Sequence, residues 1–164
     1  MISFALYGRT GQGVRTASRI IARSTFYSGF QVQCLIPYAN SVQTGFIKVD
    51  KAPITSRDMP DPDFFLVFDA KIGADMKGAK EGASIIVNFN EKPKVKTKNK
   101  TKVFYIDAAS IALPRKQMVN MPMVGALAKV FGKLPMKHIK TALDEEGLPH
   151  TFSAVEEGFR SVKK

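Results

Sequence analysis

The segment that most constrains this chain is a glycine-rich turn between an apolar strand and an amphipathic helix. Residues 2–7 form an apolar run that predicts a strand, and residues 8–13 read Gly-Arg-Thr-Gly-Gln-Gly. Helical periodicity begins at residue 13 and continues to residue 28. The first amides of a helix have no partner within it, and the helix dipole favours negative charge there. The segment therefore predicts an anion site, and phosphate is the anion that suits it best.

Ten residues of this turn, of the helix that follows and of a second polar loop are candidate ligand contacts. They are Gly8, Arg9, Thr10, Gly11, Gln12, Gly13, Arg15, Tyr38, Asn40 and Gln43. Arg15 is informative because a cation in the first helical turn opposes the dipole by about 0.3–1 kcal/mol, and a bound anion or an acidic partner would remove that penalty. The alternative of a tight strand-to-helix turn that binds nothing stays open, as does a plain turn at Tyr38 and Asn40.

Two common nucleotide-binding motifs do not match the turn. The dinucleotide fingerprint G-x-G-x-x-G would need glycine at Thr10 and an acidic residue near the end of the second strand, where the chain reads Leu35-Ile36-Pro37-Tyr38. A P-loop would need Gly-Lys-Ser/Thr after the first glycines. The sequence therefore argues against a nicotinamide site and against a P-loop.

Apolar and helical segments alternate through the first two thirds of the chain. The predicted strands are 2–7, 31–36, 46–49 (an edge strand), 64–68, 83–89 and 103–106; the predicted helices are 13–28, a short one through Met76, 108–113, 121–131, 135–145 and 152–162. This pattern predicts one α/β domain over residues 1–164, a three-layer α/β/α sandwich with a mixed, mainly parallel sheet. Because ligands of such sheets bind beyond the carboxyl ends of the strands, residues 8–13, 38–45 and 69–71 should converge there.

The residue types exclude several kinds of site. Cys34 is the only cysteine among 164 residues, so the chain holds no internal disulfide and no all-cysteine metal site. Its apolar neighbours predict a buried thiol. Asp63 and Asp69 flank a strand and are expected to bond loop amides. We predict no catalytic residue and no metal site, and the lack of a signal peptide or a membrane-length apolar run predicts a cytoplasmic location.

Positive charge is the strongest compositional feature, with a formal net charge of +11. Residues 92–102 carry a lysine at every second position, which would put all of them on one face of an extended segment. Arg15, Arg19 and Arg23 form a column on the first helix that is expected to face solvent. The lysine run fits a solvated loop, a docking surface for an acidic partner such as ferredoxin, or a nucleic-acid contact, although it has no aromatic for base stacking.

The wider pattern resembles the gamma subunit, or gamma domain, of the pyruvate (2-oxoacid):ferredoxin oxidoreductases. Residues 8–17 resemble its opening G-x-G-G-Q-G-V-x-T-A, and residues 38–45 take the place of Y-G-P-E-x-R-G-G. Pro53-Ile54, then Pro62-Asp63 with Asp69, residues 123–129 and residues 154–159 resemble the later motifs in order. Thr10, Ser41 and Gln43 depart from the pattern, where the family has glycine, an acidic residue and arginine.

This resemblance implies a non-catalytic subunit of an enzyme that decarboxylates pyruvate or a related 2-oxoacid, reduces ferredoxin and forms an acyl-CoA. Thiamine diphosphate and iron–sulfur clusters are expected on partner subunits of alpha, beta and delta type. Coenzyme A phosphate is expected at the amides of residues 11–13, with charge from Arg9 and Arg15, whereas Gln43 lacks the bidentate contact of an arginine. A basic nucleic-acid-binding module and a purely structural α/β module stay open as alternatives.

Overall fold

A computed structural model describes residues 1–38, 40–72, 78–96 and 100–164. The strands are β1 (Ile2–Arg9), β2 (Gln31–Leu35), β3 (Val42–Asp50), β4 (Phe64–Val67), β5 (Ser84–Asn88) and β6 (Lys102–Ile106). The helices are α1 (Val14–Tyr27), α2 (Ala108–Ala112), α3 (Asn120–Phe131), α4 (Met136–Glu145) and α5 (Phe152–Ser161). A 3-10 turn at Ala70–Ile72 begins where the short helix through Met76 was predicted, and the rest of that prediction lies outside the described residues.

The six strands form one sheet in the order β2-β3-β1-β4-β5-β6. The pairs β2–β3 and β3–β1 are antiparallel, and the pairs β1–β4, β4–β5 and β5–β6 are parallel. The predicted α/β class with a mixed, mainly parallel sheet is therefore confirmed. The carboxyl ends of β1 and β4 lie side by side, since Tyr7 is level with Val67.

The β1–β3 pair departs from the sequence prediction in length and in position. β3 starts at Val42, and it lies between β2 and β1, so the prediction of an edge strand over residues 46–49 was wrong. β1 likewise continues to Arg9, because Gly8 pairs with Gln43 and Arg9 with Val42. Apolar alternation does not reveal these ends, because backbone pairing in an antiparallel ladder needs no apolar side chain.

One face of the sheet is buried by the helices. Inward side chains such as Phe4, Leu6 and Leu66 share a single core cluster with buried residues of α1 to α5. Helices α3 and α5 pack closely through glycine, since a Cβ on Gly125 would lie 2.0 Å from the Val155 carbonyl oxygen. This contact fixes the start of α3, which belongs to the site described below.

The opposite face carries a smaller core that connecting segments cover in the described part of the chain. Phe65 and Ile85 pack there with Ala79 and Ala83 of the β4–β5 connection, and Val95 packs against the same cluster. Lys48 of β3 is only 1 % exposed on this face. Its ammonium donates to the carbonyls of Ser56 and Asp58 at 2.6 and 2.7 Å, which satisfies the charge and anchors the long β3–β4 connection.

The expectation of a buried Cys34 was wrong. Cys34 is exposed, because β2 is an edge strand whose outer side has no neighbouring strand. Its sulfur still lies 3.9 Å from the Ser18 carbonyl oxygen, and partial burial there raises the pKa of the thiol. The arginine column of α1 is exposed, as expected, and two of its members also pair with the end of α4: Arg23 lies 2.9 Å from Glu145 and Arg19 lies 3.5 Å from a second glutamate. Among the described residues no helix is long and apolar enough to cross a membrane.

Candidate functional site

The turn between β1 and α1 is closed by its own backbone and by one glutamine. The Gln12 amide donates to the Arg9 carbonyl at 3.1 Å, and the Arg9 amide donates to the Gln12 side-chain oxygen at 2.7 Å. Gln12 therefore closes the turn with both its side-chain oxygen and its backbone amide. The expectation that its amide points outward to a ligand is wrong, because the amide is bonded within the turn.

Two glycines of the turn adopt the left-handed conformation, in very different surroundings. Gly11 has φ of +89° and an added Cβ would meet nothing within 4 Å, so one side of this residue faces open space. Gly13, the N-cap of α1, has φ of +79°, and an added Cβ would lie 2.2 Å from the Asn120 side-chain nitrogen. Gly11 is thus free to approach a ligand, whereas Gly13 is in contact with the protein.

Asn120 is the residue of this site that sequence reasoning missed. It is 5 % exposed at the start of α3, and its side-chain nitrogen donates to the Gly13 carbonyl at 3.3 Å. Its side-chain oxygen accepts the Met121 amide at 2.9 Å. A signal was present, because Asn120 opens the segment that resembles the N-x-x-x-L-G-A-L helix, with four residues between it and Gly125.

The amino end of α1 carries uncompensated positive potential. The Ala17 amide makes the first helical bond, to the Gly13 carbonyl at 2.9 Å, so the amides of residues 14–16 precede it. The first turn has no acidic residue, and Arg15 is exposed. Helix amides and a guanidinium at one end form a suitable environment for an anion.

The second polar loop is attached to the turn through Thr10. The Thr10 amide donates to the Ser41 carbonyl at 3.2 Å, and its hydroxyl donates to the Asn40 carbonyl at 2.8 Å. Gln43 lies opposite Gly8 in the ladder and is half-buried, whereas Tyr38 is 88 % exposed. The loop therefore borders the turn, with Asn40 and Ser41 bonded to Thr10, Gln43 paired with Gly8 and Tyr38 in solvent.

A carboxylate beside the turn neutralises part of its charge. Asp69 follows β4 and lies 2.5 Å from the Arg9 guanidinium, and it also accepts the Lys71 amide at 2.8 Å. Burial alone would raise the pKa of Asp69, but the bond from the Lys71 amide and the Arg9 charge hold that pKa below its ordinary value. Arg9 is therefore compensated within the protein, whereas Arg15 has no carboxylate partner among the residues that the structure describes.

Asp63 lies at the other end of β4 and has a structural role. It accepts the Ser3 amide at 2.8 Å and pairs with Lys80 at 2.8 Å. The expectation that both aspartates bond loop amides is confirmed for Asp69, which accepts the Lys71 amide, whereas the amide that Asp63 accepts belongs to Ser3 of β1.

Two cavities flank these elements. A cleft of about 360 Å³ opens beside the first turn of α1, where Thr16 and Asn120 line it together with Lys116 and His150. A larger cavity of about 530 Å³ lies at the opposite end of β1, near Ile2 and Val49. The lining of the smaller cleft includes Thr16 of α1 and Asn120 of α3, but none of the ten candidate ligand contacts.

Comparisons with known proteins give a consistent result. The family described as pyruvate ferredoxin/flavodoxin oxidoreductase matches residues 3–161. The "pyruvate/ketoisovalerate oxidoreductases common subunit gamma" of Thermococcus litoralis is 32 % identical over 168 residues, which cover 93 % of this chain and 88 % of that protein. The crystal structure of the pyruvate oxidoreductase subunit PORC from Thermotoga maritima has a TM-score of 0.83 at 26 % identity, over 99 % of this chain and 97 % of that one.

A third comparison shows the fold alone. The 2-oxoglutarate:ferredoxin oxidoreductase from Magnetococcus marinus, solved with 2-oxoglutarate, coenzyme A and succinyl-CoA bound, has a TM-score of 0.80 at 16 % identity. The match covers 97 % of this chain and 30 % of that one. The same fold therefore occurs as a separate chain and as part of a longer one.

Proposed function

Because the chain belongs to the pyruvate ferredoxin/flavodoxin oxidoreductase family, we propose that it is the gamma subunit of a 2-oxoacid:ferredoxin oxidoreductase. The complex converts pyruvate or a related 2-oxoacid to its acyl-CoA and passes the electrons to ferredoxin. The observation that carries this proposal is the full-length match to a separate PORC subunit. Partner subunits of alpha, beta and delta type complete the enzyme, and the expected cytoplasmic location stays a prediction.

In this proposal the chain has a structural and binding role, and the chemistry belongs to its partners. A cysteine-ligated cluster needs several thiolates, and the chain has one cysteine. The iron–sulfur clusters are therefore assigned to the partner subunits, and the resemblance to the family implies that thiamine diphosphate belongs there too. Co-expression with those subunits tests the assignment: a purified complex that contains this chain and oxidises a 2-oxoacid would support it. A complex of full activity without the chain would refute it.

The ligand proposed at the turn is a phosphate group of coenzyme A. The amides of Gly11 and of residues 14–16, the open side of Gly11 and the exposed Arg15 suit such an anion. Arg9 contributes less than the sequence suggested, because it is paired with Asp69. Thr10 and Gln43 replace the glycine and the arginine of the family pattern. In this proposal the phosphate is therefore bound by backbone amides and Arg15, without the bidentate arginine of the pattern.

Calorimetry of coenzyme A against the assembled complex tests this site with three variants. Gly11→Asp adds a carboxylate at the open position, and Gly11→Asn adds nearly the same volume without charge. Gly82→Asp is the matched control, because Gly82 has φ of +78°, has nothing within 4 Å of an added Cβ, and precedes β5 at the far end of the sheet. We expect Gly11→Asp alone to weaken coenzyme A binding by about tenfold or more, since a repelled charge costs over 1 kcal/mol at close range. Equal affinities in all three variants that assemble would refute the phosphate site.

A further inference from the structure

The lysine run between β5 and β6 is anchored to the sheet. The described lysines of this run, Lys92, Lys94, Lys96, Lys100 and Lys102, are called the lysine strap below; Lys98 lies outside the described residues. Pro93 and Val95 between them are half-buried, and Val95 packs against the core on the face opposite the helices. Every lysine of the strap is exposed. Over residues 92–96 the alternation therefore turns Pro93 and Val95 inward and the lysines outward, and the packing of Val95 holds this part of the strap in place.

The strap concentrates positive charge. Some basic groups elsewhere on the molecule are paired: Lys80 lies 2.8 Å from Asp63, and Arg23 lies 2.9 Å from Glu145. Within the described ranges, none of the five strap lysines makes an ion pair. Glu91 is the acidic residue next to the run, and it is also exposed. A row of like charges at this spacing repels itself, and an acidic surface placed against it would relieve that repulsion.

The chemistry of the strap favours a protein over a nucleic acid. The run has no aromatic side chain, so it offers no platform on which bases could stack. Exposed lysines on an anchored segment suit a weak, fast complex, because complementary charge mainly raises the association rate. Such a complex is what a soluble electron carrier needs, since it must bind and leave in each turnover.

We propose that the lysine strap is the docking surface for the acidic face of the protein electron acceptor. This inference rests on the proposed function, because it takes the chain to be part of the oxidoreductase. It assigns a role to the strap that is separate from the glycine-rich turn, since the strap lies across the face of the sheet that α1 does not cover.

The test compares two variants of the assembled complex that remove the same number of charges. The strap variant carries Lys→Gln at positions 92, 94, 96 and 102, and the control variant carries Lys→Gln at positions 129, 133, 137 and 140. The control lysines are also exposed, but they lie in the helical part of the chain after β6. Each complex is assayed with a ferredoxin of net negative charge and, separately, with methyl viologen, a small acceptor that needs no protein docking.

We expect the strap variant to raise the KM for ferredoxin roughly tenfold at low ionic strength, with the viologen rate unchanged. The control variant should change this KM by less than about twofold, and the difference should shrink at about 0.5 M salt because screening weakens exposed charges. Equal KM values in the two variants would overturn the proposal. So would failure of the strap variant alone to assemble, which would place another subunit on the strap, or single-stranded DNA binding that the strap variant loses. An unmutated complex without viologen activity would refute the proposed function instead.

Discussion

The contact between Gly13 and Asn120 makes a quantitative prediction about the glycine-rich turn. Gly11→Ala and Gly13→Ala both place alanine in the left-handed region, at φ of +89° and +79°. They differ in their surroundings, because the Gly11 side is open and the Gly13 side is filled by Asn120. Gly11→Ala therefore measures backbone strain alone, and Gly13→Ala measures the same strain plus a steric contact.

The structure sets the size of the steric part. A Cβ on Gly13 would lie 2.2, 2.7 and 3.1 Å from the Nδ2, Cγ and Cβ atoms of Asn120, so rotation of the amide alone cannot relieve the contact. Left-handed alanine costs about 1–2 kcal/mol. Displacing the buried Asn120 amide from its bonds adds about 1–3 kcal/mol. We expect unfolding free energies lower by about 1 to 2 kcal/mol for Gly11→Ala and about 2 to 5 kcal/mol for Gly13→Ala.

Urea unfolding of the full chain, followed by circular dichroism, measures these differences. The decisive step repeats Gly13→Ala in an Asn120→Ala background, where only the strain and the 3.1 Å contact remain. There the cost should fall to about that of Gly11→Ala, which corresponds to a coupling of about 1–3 kcal/mol. The reasoning is refuted if Gly13→Ala costs the same in both backgrounds, or if it costs no more than Gly11→Ala.

Three further predictions concern packing, a buried charge and pH. Gly158→Ala would place a Cβ 2.1 Å from the carbonyl oxygen of Pro122 in α3. The resulting overpacking, about 1–3 kcal/mol, should outweigh the gain in helix propensity and lower the melting temperature by several degrees. Ser153→Ala, at an exposed position of α5, is the control and should not lower the melting temperature. Lys48→Met removes the donor to two carbonyls of the β3–β4 connection, so trypsin should cleave after Arg57 faster than in the unmutated chain. The Asp69 carboxylate has a lowered pKa, so it stabilises the folded chain above about pH 4, and this stabilisation is lost as the pH falls below that value. The melting temperatures of Asp69→Asn and of the unmutated chain should therefore converge in acid. A difference in melting temperature that stays constant with pH would contradict this.

Sequence patterns predicted the elements with buried, regular side chains. The α1, α3, α4 and α5 helices begin and end within two residues of the predicted bounds, because their apolar positions recur at helical spacing. The β3 strand was placed too late and at an edge, because its first residues, Val42 to Thr44, are partly exposed and follow no clean alternation. The order of the strands in the sheet depends on which strands pair with each other, and the residue pattern of a single sequence does not specify those pairs directly.

The candidate site shows the same division between local and long-range information. The turn itself was predicted, since glycine spacing and the strand-to-helix change are local features. The roles of Arg9 and Gln12 were not, because they depend on Asp69, which is 60 residues away, and on the fold of the turn. Asn120 was missed for the same reason, since its contact with Gly13 spans 107 residues.

The contacts of Asn120 explain why distant motifs of the chain belong together. Asn120 is held at the turn by the start of α3, and α3 is held by α5, because a Cβ on Gly158 would meet the backbone of Pro122 and one on Gly125 would meet the backbone of Val155. A larger residue at either glycine would move α3 away from α5 and would shift Asn120 relative to Gly13. The packing of α3 against α5 therefore sets the position of Asn120, and through Asn120 it sets the geometry of the glycine-rich turn at which we propose that an anion binds.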